Sequence, residues 1–75
     1  HRTVWSNRGG FLAFRRPLGS LLDKGEAFAE IRDPFGNIVE TVTAPAKSVF
    51  WSHPPYPMVA TGQRVATLGI RLGSV

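Results

Sequence analysis

Along most of the chain, apolar and polar residues change places every one or two positions. No stretch of ten residues keeps a helical stride between capping signals. The pattern therefore predicts short strands. Val4-Trp5-Ser6 is a strand candidate closed by the turn-prone Asn7-Arg8-Gly9-Gly10, and Phe11-Leu12-Ala13-Phe14 reads as a buried strand broken by Pro17. Leu21-Leu22 is an apolar stub before the tight turn Asp23-Lys24-Gly25. Residues 26–32 then alternate, with Ala27, Ala29 and Ile31 against Glu26, Glu30 and Arg32, and with Phe28 as the exception. Asp33-Pro34-Phe35-Gly36-Asn37 is the strongest turn signal, because Pro34 presets φ and Gly36-Asn37 tolerate left-handed backbone. The β-branched alternation of residues 38–43 follows, which makes a hairpin across that turn. Ser48-Val49-Phe50-Trp51, Met58-Val59 and residues 64–70 supply the remaining strands, and the prolines at 54, 55 and 57 make the intervening segment a loop.

This pattern is written twice. Lys24-Gly25-Glu26-Ala27-Phe28-Ala29-Glu30-Ile31 returns as Thr61-Gly62-Gln63-Arg64-Val65-Ala66-Thr67-Leu68, an offset of 37 residues (62 − 25). Backwards at the same offset, Leu21-Leu22 meets Met58-Val59, Pro17 meets Pro54, Phe14 meets Trp51 and Leu12 meets Val49. Two copies are too few for an open solenoid, so two half-domains closing on each other are expected. The expected fold is all-β: one small flattened barrel or sandwich of two pseudo-symmetric halves over residues 1–75. Residues 1–3 and 71–75 are expected to be tails, and the whole chain reads as a fragment of something longer.

Seventy-five residues bury one small core, and without cysteine no disulfide can reinforce it. A reducing, cytoplasmic setting is the expectation. The net charge of +4 comes from nine Lys/Arg that are scattered singly, apart from the adjacent Arg15-Arg16. Nucleic-acid binders gather such charge into a face or stripe, so no nucleic-acid partner is expected. No apolar run is long enough to cross a bilayer, and no membrane partner is expected. Stacking on Trp5, Phe14, Phe28, Phe50 and Trp51 is set aside, because most of these rings fall at repeat-matched positions and read as core or inter-half packing. Phe35, at the hairpin tip, reads instead as a docking anchor.

Catalytic groups are sparse. A catalytic zinc needs three converging protein ligands with an open position, and His1 and His53 cannot supply them. There is no cysteine, no serine in a nucleophile-elbow context, and only Gly9-Gly10 where a phosphate cradle needs more. Glu26 and Glu30 read as solvated carboxylates on one strand face. No catalytic, cofactor-binding or metal-binding residue is assigned to this chain.

The ordered set Gly9-Gly10-Phe11, Leu22-Asp23-Lys24-Gly25-Glu26, Ile31-Arg32-Asp33-Pro34-Phe35-Gly36 and Val42-Thr43-Ala44-Pro45 resembles the C-terminal domain of the succinylglutamate desuccinylase/aspartoacylase family, over roughly residues 4–70. The family's members are zinc-dependent deacylases, a catalytic domain followed by a small β domain. Lys47-Ser48 departs from the family, where many relatives carry a glycine before the next strand. The resemblance implies a non-catalytic domain that packs on its own catalytic domain and shapes substrate access or homo-oligomerisation, with zinc held in the missing catalytic domain. It also implies that His53, Tyr56 or Arg15 faces the active-site mouth. The parent would be a hydrolase acting on linear amides. The pattern is similar, too, to the biotinyl/lipoyl carrier domain, a barrel-sandwich hybrid. Carriers place their modified lysine at the tip of the central hairpin, whereas this tip has none and the nearest, Lys24 and Lys47, sit at other turns. The alternative function is therefore a biotinyl/lipoyl-like interaction module of an adaptor or transport protein, without an attachment lysine.

Overall fold

The computed structural model describes residues 1–70, and the tail expected at residues 71–75 lies outside them. Among the described residues there are eight strands and no helix: β1 (Arg2–Trp5), β2 (Gly10–Phe14), β3 (Leu21–Leu22), β4 (Ala27–Arg32), β5 (Ile38–Thr43), β6 (Ser48–Ser52), β7 (Met58–Val59) and β8 (Arg64–Ile70). They form two antiparallel four-stranded sheets, ordered β1-β8-β6-β3 and β5-β4-β2-β7. The fold is all-β, as expected, and is an open sandwich, not a closed barrel. Strand β1 begins at Arg2, so Arg2 and Thr3, expected in a tail, belong to a sheet.

Exchanging β1 with β5, β2 with β6, β3 with β7 and β4 with β8 turns one sheet order into the other. Each half also lends strands to both sheets, so the halves interlock. The backbone hydrogen bonds repeat accordingly. Gly25 N–H donates to the Ala44 carbonyl (2.7 Å) and Ala44 N–H to that of Glu26 (2.9 Å); Gly62 N–H donates to the Ser6 carbonyl and Ser6 N–H to that of Gln63, both at 2.9 Å. Even the turn side chains match. Glu26 Oε1 accepts from Asp23 N–H at 3.0 Å and Gln63 Oε1 from Ala60 N–H at 2.8 Å. The glycines within these turns, Gly25 and Gly62, have φ of 83° and 80°, left-handed backbone where a side chain is strained.

Phe28, the residue that broke the sequence alternation, is the extra residue of a β-bulge: Ala27 pairs with Thr43 and Ala29 with Val42. Val65, its repeat partner, is skipped in the same way between Val4–Ala66 and Trp5–Arg64. Both bulged side chains are fully buried. Leu22, Ile31, Phe50 and Leu68 complete the centre of the core with them, edged by Ala29, Ala66, Val42 and Val59.

The repeat correspondence slips by one residue in β2 and β6. Leu12 sits opposite Ile31, and Phe50 opposite Leu68, the repeat partner of Ile31. Leu12 therefore corresponds to Phe50, and Ala13 to Ser52, with Trp51 skipped between them as the extra residue of a bulge; the sequence pairing of Leu12 with Val49 and Phe14 with Trp51 is corrected. The cause is a difference in connection length, since six residues (15–20) join β2 to β3 but five (53–57) join β6 to β7. A slip of one residue turns every side chain to the opposite face. Trp51 accordingly lies on the outer face, 60% exposed, with its indole over Gly69, where an added Cβ would come within 2.6 Å of the ring. Trp5 is also exposed, so the expectation of two core tryptophans fails. Strand β2 is likewise only half-buried, with Phe11 exposed. Gly10 is dictated by close approach, because a Cβ there would stand 2.5 Å from the Arg32 carbonyl oxygen.

This register makes neighbouring aromatic residues behave differently. Phe50→Ala should cost about 3–5 kcal/mol, as expected for a fully buried ring, while Trp51→Ala should cost about 1 kcal/mol or less. Urea unfolding followed by circular dichroism measures both, and the reverse order would show that the β6 register is wrong.

Candidate functional site

Strand β4 carries an ionic clamp on its outer face. Glu30 pairs with Ala13 across β2 and Thr41 across β5, on the face opposite Leu12 and Ile31. Its side chain is 9% exposed because two arginines close over it. Arg15 donates from Nε (3.0 Å) and Nη2 (2.6 Å) to Glu30 Oε2, and Arg32 donates from Nε to Oε1 at 2.7 Å and also forms an ion pair with it through Nη2. The Arg15 hydrogen bonds, then those of Arg32, hold the Glu30 carboxyl below its ordinary value of 4.5 against the opposing effect of desolvation. The expectation of a solvated Glu26/Glu30 pair is thus corrected. Glu26 lies in the turn before β4, not on its face, and is ion-paired with Arg16. A carboxylate committed to two guanidiniums is poorly suited to act as a base, and Arg15 is occupied by Glu30.

At the other end of β4, the hairpin tip is fixed by Asp33. Its Oδ1 accepts from the N–H groups of Phe35 and Asn37, both at 2.9 Å, and its Oδ2 from Asn37 Nδ2 at 3.1 Å. The Asn37 and Phe35 donors lower the Asp33 carboxyl from its ordinary 3.8. Arg32 Nη1 also donates to the Gly36 carbonyl at 2.9 Å. Phe35 protrudes from this braced turn, 89% exposed.

His53 is half-buried in an aromatic cluster. Its ring stacks on Phe14 (centroids 4.4 Å apart, 27° between planes) and lies 5.8 Å from Phe50, while Nδ1 is 2.7 Å from the Pro54 carbonyl oxygen. Tyr56 is 67% exposed. It lines a groove of about 350 Å³ with Trp5, Leu12, Met58, Gln63 and Arg64. The structure therefore joins Tyr56 to a groove, ties His53 into packing and Arg15 into an ion pair, and sets Phe35 apart. Arg15 N–H bonds to the Phe28 carbonyl at the start of β4, whereas Phe35 follows the end of that strand. The groove walls Trp5, Met58 and Arg64 were not singled out from sequence, because three distant segments build them.

A solved structure carries the same fold. It is the product-bound structure of the ectoine utilization protein EutE (DoeB) from Ruegeria pomeroyi, which this chain matches with a TM-score of 0.82 and 21% sequence identity. The likeness covers 92% of this chain but 22% of that one, so the chain spans about a fifth of the other protein's length. No protein-family model and no curated protein sequence matches the chain significantly. Among the described residues no helix is long and apolar enough to cross a membrane, and no group of three or more His, Cys, Asp or Glu is placed to hold a metal ion.

Because the Glu30 and Asp33 carboxyls titrate below their unfolded values, their contribution to stability is complete above about pH 5 and is lost as pH falls through the folded values. Urea midpoints measured from pH 7 down to pH 2 should decline on that limb. Glu30→Gln should flatten part of the decline, and an unchanged limb would exclude the clamp as its source.

Proposed function

We propose that this chain is a non-catalytic β domain of a zinc-dependent N-acyl amide hydrolase, packing against that enzyme's catalytic domain and shaping access to its active site. The observation that carries the reading is the match of nearly the whole chain to a fifth of a protein solved with bound product. A domain of that relative size accompanies a larger partner domain. The ordered motifs from Gly9-Gly10-Phe11 to Val42-Thr43-Ala44-Pro45, which resemble the C-terminal domain of the succinylglutamate desuccinylase/aspartoacylase family, point the same way. The chemistry of the parent would be attack of zinc-activated water on an amide carbonyl, releasing a carboxylate and an amine. The ligands for that zinc would come from the catalytic domain. In a cytoplasmic parent the cysteine-free composition needs no further explanation.

Within this reading the braced Phe35 tip is the contact point for the catalytic domain or a second subunit. An exposed aromatic residue on a pre-ordered turn loses little entropy on docking. Of the proposed mouth residues, Tyr56 is the exposed one, and His53 acts by holding the 53–57 connection against Phe14.

The test is hydrolysis of N-acyl amino acids by the polypeptide that contains this chain and the sequence encoded before it. The expected result is amine release that a chelator abolishes and zinc restores, an upstream His-x-x-Glu motif with a later histidine, and no turnover by residues 1–75 alone. An upstream segment of coiled-coil heptads without zinc ligands would contradict the proposal and favour an adaptor module.

A further inference from the structure

The groove lies in one half of the sandwich, and the matching place in the other half holds a buried ring. Its floor is Leu12, whose counterpart in the second half is Phe50. Phe50 is fully buried against Phe14, Phe28 and His53, at centroid distances of 5.2, 5.2 and 5.8 Å. Beside Leu12 the matching position is smaller too, since Val65 stands for Phe28. Two halves with nearly the same backbone hydrogen bonds thus differ by the volume of aromatic rings. Phe50 shows what fits such a place.

The walls add chemistry. Trp5, Tyr56 and Met58 are each more than half exposed, although large apolar side chains gathered at one place are costly in water. Arg64 is the charged residue of the lining. It is half-buried, and its Nη1 donates to Thr67 Oγ1 (2.9 Å) and Ser52 Oγ (3.3 Å). No carboxylate among the described residues pairs with it, in contrast to Arg15, Arg16 and Arg32. Gln63 lends no negative charge, since its Oε1 is taken by Ala60 N–H. The groove is neither enclosed nor flat, so a compact small molecule would keep part of its surface wet, whereas pockets for such ligands bury most of it. An extended chain segment suits an open groove better.

We infer that the Trp5–Tyr56–Arg64 groove binds an extended segment of a partner polypeptide that presents an aromatic side chain beside an acidic one. The ring lies over Leu12 between Trp5, Tyr56 and Met58, and the carboxylate reaches the free edge of the Arg64 guanidinium. Aromatic contact supplies most of the affinity, and the charge pair sets the direction of the segment. This surface is distinct from the Phe35 tip, so it stands whether or not the parent is an amide hydrolase.

The two tryptophans make the test internally controlled, because Trp5 lines the groove and Trp51 lies over Gly69 on an outer face. The isotope-labelled chain is titrated with a capped hexapeptide bearing a central phenylalanine–aspartate pair, while the two indole N–H signals are followed by NMR. The expected result is a saturable shift of the Trp5 signal with the Trp51 signal unmoved. Binding should weaken about tenfold for the peptide with asparagine in place of aspartate, and likewise for Arg64→Gln, in keeping with one charge-assisted contact. Leu12→Phe, which puts the missing ring on the groove floor, should abolish binding. If that variant does not keep a dispersed spectrum, Tyr56→Ser tests the wall instead and should weaken binding at least fivefold. Absence of a Trp5 shift at millimolar peptide would overturn the inference. So would equal binding of the asparagine peptide, or tighter binding of phenylacetate, which would mark a small-molecule site.

Discussion

Everything in this fold depends on two crossed pairs of backbone hydrogen bonds. Gly25 and Glu26 of the first half bond to Ala44 of the second, and Gly62 and Gln63 of the second bond to Ser6 of the first. Each pair closes a turn onto the residue that follows a strand of the other half. A chain of 75 residues has little apolar area with which to hold two separate layers together, and no disulfide is present. Interlocking solves that problem by making each half complete the other's sheet. The bulges at Phe28 and Val65 follow from it, since they turn a large side chain into the shared core beside each crossing.

The same constraint explains where function can sit. Backbone pairing is nearly duplicated, so the halves can differ only in side chains and connection lengths. The one-residue difference between the 15–20 and 53–57 connections moves Trp51 to an outer face, over Gly69. Replacement of Phe28 and Phe50 by Val65 and Leu12 leaves aromatic packing in one half and a groove in the other. The hairpin at residues 33–37 differs again: it is braced by Asp33, presents Phe35 and has no lysine.

The fold was largely legible in the sequence because its signals are local. The 33–37 turn, the prolines at 54, 55 and 57, the β-branched 38–43 run and the 37-residue repeat each name an element or a symmetry without reference to the rest of the chain. Phe28 even announced its bulge by breaking the alternation. The register of β6 was not legible, because a repeat read at a single offset cannot show which loop is shorter. The Glu30 clamp was missed for a similar reason. Arg15 is fifteen residues away and reaches Glu30 only through the β2–β4 pairing, so a strand face that reads as solvated is in fact roofed by arginine. The groove has no sequence signature at all: its lining comes from the end of β1, the middle of β2, the 53–57 connection, β7 and the start of β8.

The measurement that bears most directly on the interlocked account is native-state hydrogen exchange of the amides of Ser6, Gly25, Ala44 and Gly62. If the two halves complete each other, all four exchange only through global unfolding, with the same free energy as the central amides of β4 and β8. Rapid exchange of the Ser6–Gly62 pair while the Gly25–Ala44 pair stays protected, or the reverse, would show that one half opens without the other and would contradict the account.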